Sequence, residues 1–289
     1  MFFQQLVNGL MLGSSYALIA VGYSLIFGVM GLLHFAHGEV FMVGAFIALQ
    51  MVLLVHVSLP IAMLGAMTAT AILGIIIAAI GFLPIKKQYV AAPLIATIGL
   101  GIIIQNLAVK IFGGDPVSFP ETIALVNYKI GDVMINSLQI LMLCVTLALM
   151  ILLSVYIKNT KMGKAMRASA ERPITASLLG VNYKKVVLVT FTIASALAGV
   201  AGVLTGLVFG TVSPFMSGPA TLKGLVVMLM GGLGNLVGAV VCGIILGILE
   251  VFSVAYLSAS YRDSLTFVIM ILVLILKPEG LFGVRLHGR

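Results

Sequence analysis

The chain has 289 residues, of which 62% are apolar and only 8% charged, against about 25% charged in an ordinary soluble domain. With a mean hydropathy of +1.26 it has too little polar surface to cover a water-exposed globule, so a soluble enzyme is excluded and lipid or neighbouring helices must surround most side chains. Sixteen Lys and Arg outweigh eight Asp and Glu, but the basic residues gather in one polar segment and at the ends of apolar runs, a pattern of topology control rather than of nucleic-acid binding.

About 20 apolar residues in a helix cross a ~30 Å hydrocarbon core, and the chain offers candidate runs at 6–31, 39–56, 60–84, 90–112, 133–157, 186–210, 222–234, 236–257 and 264–277. The first follows a start with no basic side chain and no small-residue cleavage site, so it reads as a retained span. Between the first two runs His34, His37, Gly38 and Glu39 form a polar break. No further His or Cys cluster completes a metal shell there, and no metal is expected. Two readings remain: a structural break with histidines at the interface or bonded to loose backbone carbonyls, or a functional break in which Gly38 lets the chain unwind and Glu39 contributes to gating or a polar contact along the path. Gln105 and Asn106, late in the fourth run, could bond substrate, but a neighbouring helix is the favoured partner.

Segment 113–132 opens with Gly113-Gly114-Asp115-Pro116 and carries Pro120, turn chemistry suited to a docking surface or lid. The segment 158–185 is more structured. Thr160 can cap a helix with Lys161, Lys164 and Arg167 on one face, and Pro173 suits the first turn of a short second helix. Gly180 can take the left-handed position at its end, and Asn182 can cap the next span. Leu178 and Leu179 of the short helix then need a partner outside the membrane.

The run 222–234 is too short to cross alone and ends in Gly231-Gly232-Leu233-Gly234-Asn235, so a half-helix or re-entrant piece turning sharply is expected. Glu250 is the acid deepest in an apolar run and should face protein or water, a candidate polar position on a path. Small residues four apart (Gly9 and Gly13, Gly243 and Gly247) read as helix packing, with Gly247→Ala expected to be mild. Cys144 and Cys242 read as packing residues rather than a bridge.

If 158–185 is cytoplasmic, alternation puts Lys86, Lys87, Lys277, Arg285 and Arg289 on the same side and leaves Lys110, Lys129, Lys223 and Arg262 outside with Asp115, Glu121, Asp132 and Asp263. The N-terminus is then outside and the C-terminus inside. No Gly-x-x-x-x-Gly-Lys-Ser/Thr loop is present, so nucleotide hydrolysis, if it drives the protein, belongs to another chain.

Gly13-Ser-Ser-Tyr-Ala-Leu-Ile-Ala-Val-Gly-Tyr-Ser-Leu-Ile-Phe-Gly28 and His34-Phe-Ala-His-Gly-Glu39 resemble the first part of the branched-chain amino acid ABC transporter permeases. So do Met162-Gly-Lys-Ala-Met-Arg-Ala-Ser-Ala-Glu171, Ala176-Ser-Leu-Leu-Gly180 and Gly231-Gly-Leu-Gly-Asn-Leu-Val-Gly238. The likeness covers nearly the whole chain, in order, and is greatest to the first of the two permease subunits; His34 departs from the pattern, where Asn is usual. The resemblance implies an all-α polytopic bundle of eight to nine spans in the bacterial inner membrane, a single domain with the fold of the vitamin B12 and ribose permeases. It further implies a second permease, two ATPases that hold the ATP and Mg, a periplasmic binding protein, and no cofactor in this chain. It places Ala170, Glu171, Leu178, Leu179 and Gly180 at the ATPase surface. Urea and short-amide importers use similar permeases, and a stand-alone secondary transporter or channel is the competing class.

Overall fold

The computed structural model describes residues 1–85, 91–120, 126–130 and 133–283. Lys86, Lys87, Glu121, Asp132, Arg285 and Arg289 lie outside the described residues. Among the described residues, eight helical stretches are long and apolar enough to cross a membrane. They are α1 (Phe2–Met30), α2 (His37–Val55), α3 (Leu59–Gly81), α4 (Ala91–Phe112), α5 (Ser137–Asn159), α8 (Tyr183–Phe209), α10 (Leu236–Tyr256) and α11 (Arg262–Leu276), the last extended by a 3-10 turn at Ala259–Tyr261. Two short helices, α6 (Lys161–Glu171) and α7 (Pro173–Leu178), join α5 to α8, and α9 (Ser217–Gly231) precedes α10. At 1.5 Å per residue the 15 residues of α9 extend about 22 Å, short of the ~30 Å hydrocarbon core. The half-helix expected from sequence is therefore present, but it starts five residues earlier.

The most apolar stretches of α1 and α8 are 83% and 78% buried, against 6% for Ala259–Leu276, so α1 and α8 form the centre and α11 the rim. Glycine makes this centre dense. α1 and α10 run antiparallel, and a β-carbon on Gly13 would sit 2.6 Å from Ile244 Cα while one on Gly243 would sit 2.7 Å from Ala17 Cα. Backbones in contact leave no room for side chains, as small-residue packing in membranes requires. The same holds at Gly247, whose β-carbon would overlap the N and Cα of Gly13. The expectation that Gly247→Ala is mild is thus corrected: sequence spacing shows a small residue but not that its neighbour is backbone.

The ends of the bundle are chemically distinct. At one end Val29 packs with Met166 of α6 and Val186 of α8, and Gly28 abuts Gly234. At the other, Gln4 Nε2 donates to Met134 O (2.8 Å) beside an antiparallel hairpin of β2 (Asn127–Ile130) and β3 (Val133–Asn136). A second pair, β1 (Val117–Ser118) with β4 (Thr211–Val212), lies at that same end through Gly206 and Phe119. The fifth span was expected to begin at 133, but residues 133–136 are strand, and α5 starts only after Asn136 accepts from Gln139 N (2.8 Å) while Asn136 N donates to Gln139 Oε1 (2.9 Å). This capping box, readable as Asn-x-x-Gln, fixes the helix start.

Candidate functional site: a broken entry, a charged cluster and an exposed helix

α1 ends at Gly31, in the left-handed region at φ 67°, whose N–H donates to Phe27 O (2.7 Å). The chain then doubles back into the bundle. His37, the first residue of α2, lies against Gly22, eight positions before the end of α1, or about 12 Å along the helix. Residues 31–36 are consequently non-helical as the chain re-enters the bundle, from exposed Gly31 to buried His34 and Ala36, where protein takes the place of lipid around the backbone. Phe35 N–H donates to Thr97 Oγ1 on α4 (3.2 Å). His34 is wedged between Phe82 and Phe191, with ring centroids 5.7 and 5.1 Å away, and His37 sits 4.7 Å from the Tyr23 ring. Both imidazoles are fully enclosed, and none of their four ring nitrogens has a hydrogen-bond partner among the described residues. The carbonyl-bonded arrangement of the histidines is therefore not what the described residues form.

The break is where elements converge. A β-carbon on Gly38 would overlap Thr221 Oγ1 and sit 2.6 Å from Ser217 O, so the start of α2 touches the start of α9. Only glycine permits that approach. Glu39 faces α4, where a β-carbon on Gly101 would lie 3.2 Å from Glu39 Oε2. Of the amides on α4, Gln105 Nε2 donates to Pro214 O (3.4 Å), a contact with the neighbouring turn, while the exposed Asn106 donates to Ile102 O of its own helix (2.8 Å).

The glycine-rich turn between α9 and α10 has Gly232 at φ 97° and Gly234 at φ 79°, conformations that favour glycine. Asn235 caps α10 by accepting from Gly238 N (3.0 Å), and its Nδ2 donates to Phe282 O (2.7 Å). Leu281 N donates to Met230 O (2.7 Å), and a β-carbon on Gly232 would sit 2.6 Å from Gly283 N. The turn at Gly231, Gly232 and Gly234 is thus strapped from below by residues 280–283, a contact between segments some 50 positions apart that the motif alone could not reveal.

Glu250 is enclosed at 0% exposure and is not a lone acid. Lys223 Nζ lies 2.5 Å from its Oε1, Arg262 Nε donates to the same oxygen, and Lys223 also reaches Asp263 (3.3 Å). Tyr16 Oη accepts from Lys223 (3.1 Å) and Arg262 (3.3 Å). Lys223 and Arg262 were expected as outer-side charges; beyond that, Lys223 is a buried residue of α9, Arg262 opens α11, and both are joined to α10 through one carboxylate. Sequence reasoning missed this cluster because the three residues come from three elements.

At the opposite end from the hairpin, the segment between α5 and α8 folds as its caps direct. Thr160 accepts from Gly163 N (3.0 Å), Asn182 accepts from Lys185 N (3.1 Å), and Gly180 takes φ 88°. Arg167 Nη1 donates to Ile157 O (2.9 Å), and Gly163 abuts the Ile157 backbone, so α6 is held rigidly to the end of α5. α7 and the residue that ends it make little use of their apolar side chains within this chain: Ile174 and Leu178 are 75% and 83% exposed, and Leu179 is 82% exposed. Ala170 and Glu171 stand at the end of α6 next to it.

Eight helical spans among the described residues, a chain break that re-enters the bundle before α2, a glycine turn at one end and an exposed apolar helix at that same end define a multi-pass membrane permease. The family model described as "Branched-chain amino acid transport system / permease component" matches residues 5–274, and the chain belongs to that family. It is 35% identical over 297 aligned residues to the high-affinity branched-chain amino acid transport system permease protein LivH of Escherichia coli, covering 98% of this chain and 96% of that protein. It is 36% identical to the corresponding permease BraD of Pseudomonas aeruginosa over the same shares, and 26% identical to LivM of Escherichia coli over 92% of this chain and 67% of LivM.

Proposed function

We propose that this chain is one half of the permease of an ATP-driven importer of branched-chain amino acids, paired with a second permease, driven by two ATPase subunits, and loaded by a binding protein at the hairpin end. In this reading the end carrying α6 and α7 faces the cytoplasm, the N-terminus is outside and the C-terminus inside. The observation that carries it is α7: Ile174, Leu178 and, just past its end, Leu179 stand exposed outside the spans on a short helix that follows α6, itself bonded to the end of α5, and leads into α8 through residues 179–182. A chain without its own nucleotide loop must receive force through such a contact, and a rigid connection passes it to the spans as rigid-body motion. Ala170, Glu171, Leu178, Leu179 and Gly180 make up the contact.

The path runs beside the two breaks. His37, Gly38 and Glu39 open α2 against Ser217 and Thr221 of α9, and the glycine turn at 231–235 closes the other end of α9, so tilting α9 changes both places together. Asn106 supports placing the exposed face of α4 toward the second permease or the path, because an amide in lipid is costly.

Reconstitution tests the reading. Proteoliposomes holding this chain, its companion permease and ATPases should take up labelled leucine only with both ATP and the binding protein present. ATP-independent uptake would favour a secondary transporter, and uptake of urea in place of leucine would move the chain to the short-amide importers.

A further inference from the structure

The polar segment and the membrane meet at a cleft that the transport reading does not use. α1 packs on both α5 and α10, but α5 and α10 stand apart and leave a groove of about 320 Å³ floored by Val21. One wall is Met150, Leu153, Ser154 and Ile157 of α5, a single helix face; the other is the first turn of α10, including Val237 and Val240. From Met150 to Ile157 the wall is about 10 Å long and almost wholly apolar. Its mouth, at the coupling end, is cationic: Lys158 and Arg167 line it.

Arg167 comes from α6, folded back so that its guanidinium rests on Ile157 O. That bond uses one N–H of a residue that is otherwise exposed. Neither Lys158 nor Arg167 has a carboxylate within ion-pair distance among the described residues. A smaller hollow of about 90 Å³ shares Ile157, Arg167 and Leu236 and continues the cleft toward α6.

An apolar slot inside a span, ending in two unpaired cations at the level where headgroups lie, has the shape and charge of a lipid. We propose that this cleft binds one anionic phospholipid, its acyl chain between α5 and α10 and its phosphate held by Lys158 and the fork of Arg167. A guanidinium pairs a phosphate through two parallel N–H bonds, and basic pockets between spans at the membrane surface are suited to anionic headgroups. A carboxylate from an ATPase subunit could reach the two cations, but a water-soluble chain cannot fill a groove that extends about 10 Å along a spanning helix. The bound lipid would brace α6 against α5 and α10, so the coupling end would be ordered by the membrane around it.

Native mass spectrometry of the full chain in detergent, titrated with phosphatidylglycerol and phosphatidylcholine, tests the site. Phosphatidylglycerol should bind about 30-fold more tightly, the contribution of two basic residues at a membrane surface. Lys158→Gln with Arg167→Gln should remove that preference, whereas Lys184→Gln with Lys185→Gln, two exposed lysines at the start of α8, should leave it intact. Ser154→Phe, an exposed position within the groove, should weaken both lipids by filling the slot while leaving the charges in place. Equal binding of the two lipids, an equal loss in the Lys184 and Lys185 control, or unchanged binding in Ser154→Phe would overturn the proposal.

Discussion

Glu250 holds two cations in the bundle, and its removal has a calculable consequence. In Glu250→Gln the carboxylate that meets Lys223 and Arg262 is lost. Lys223, with a side chain only 11% exposed, keeps the neutral Tyr16 hydroxyl and, as its one remaining anion among the described residues, Asp263, which is itself 74% exposed and screened by solvent. Arg262 is 36% exposed and can turn toward water, so the cost falls mainly on Lys223. Removing one partner of a buried pair costs about 3–5 kcal/mol, which corresponds to a fall in Tm on the order of 10 °C for a chain of this size. Cys242 provides the readout, since it is fully buried on the same helix as Glu250 while Cys144 is exposed. In a Cys144→Ser background, reaction of Cys242 with a fluorogenic maleimide on heating reports loss of packing. The double variant Glu250→Gln with Lys223→Met should recover most of the loss, because no buried cation is then stranded. An unchanged Tm in Glu250→Gln, or a double variant as unstable as the sum of the two singles, would refute the reasoning.

Other expectations follow from particular contacts. Gly247→Ala should lower assembly in the membrane, with a cost of about 1–3 kcal/mol or more from forcing α1 away from α10, while Gly99→Ala, where an added β-carbon meets nothing within 4 Å, should match the wild type in thermal stability. Gly232→Leu should assemble poorly, since φ 97° and the neighbouring Gly283 backbone both oppose a side chain; normal uptake would show the turn to be incidental. For orientation, Ser118→Cys and Ser213→Cys should react with an impermeant thiol reagent added to intact cells, and the exposed Ser177→Cys should not; Ser169 is buried and would be silent on either side. Labelling of Ser177→Cys from outside would reverse the topology.

What the sequence disclosed follows from how local each signal is. Span lengths depend on composition, and the caps of α6, α7 and α8 depend on Thr160, Pro173, Gly180 and Asn182 acting on backbone within four residues, so both were legible. The turn glycines were legible for the same reason. The start of α5 was misplaced because Val133, Met134 and Ile135 extend an apolar run in composition while their backbone pairs with β2; the Asn136 and Gln139 capping box was the signal that separates the two. The depth at which α2 begins was hidden, since nothing in His34 to Glu39 says that the chain re-enters the bundle beside Gly22. The Lys223, Glu250 and Arg262 cluster was hidden too. Each charge alone resembles a loop or path residue, and only tertiary packing brings them to one oxygen.

The contact at α7 is the claim on which transport depends. On the proposed reading, burying Leu178 and Leu179 against an ATPase would stabilise docking by about 1.5–3 kcal/mol each, so an Asp at both positions should weaken it by more than a hundredfold. The measurement is ATP hydrolysis and labelled leucine uptake, taken together, in liposomes holding the complete transporter with loaded binding protein. The account predicts that Leu178→Asp with Leu179→Asp leaves the permease inserted and as thermally stable as the wild type, while uptake is lost and hydrolysis no longer responds to binding protein. Wild-type uptake and stimulation in that double variant would contradict it.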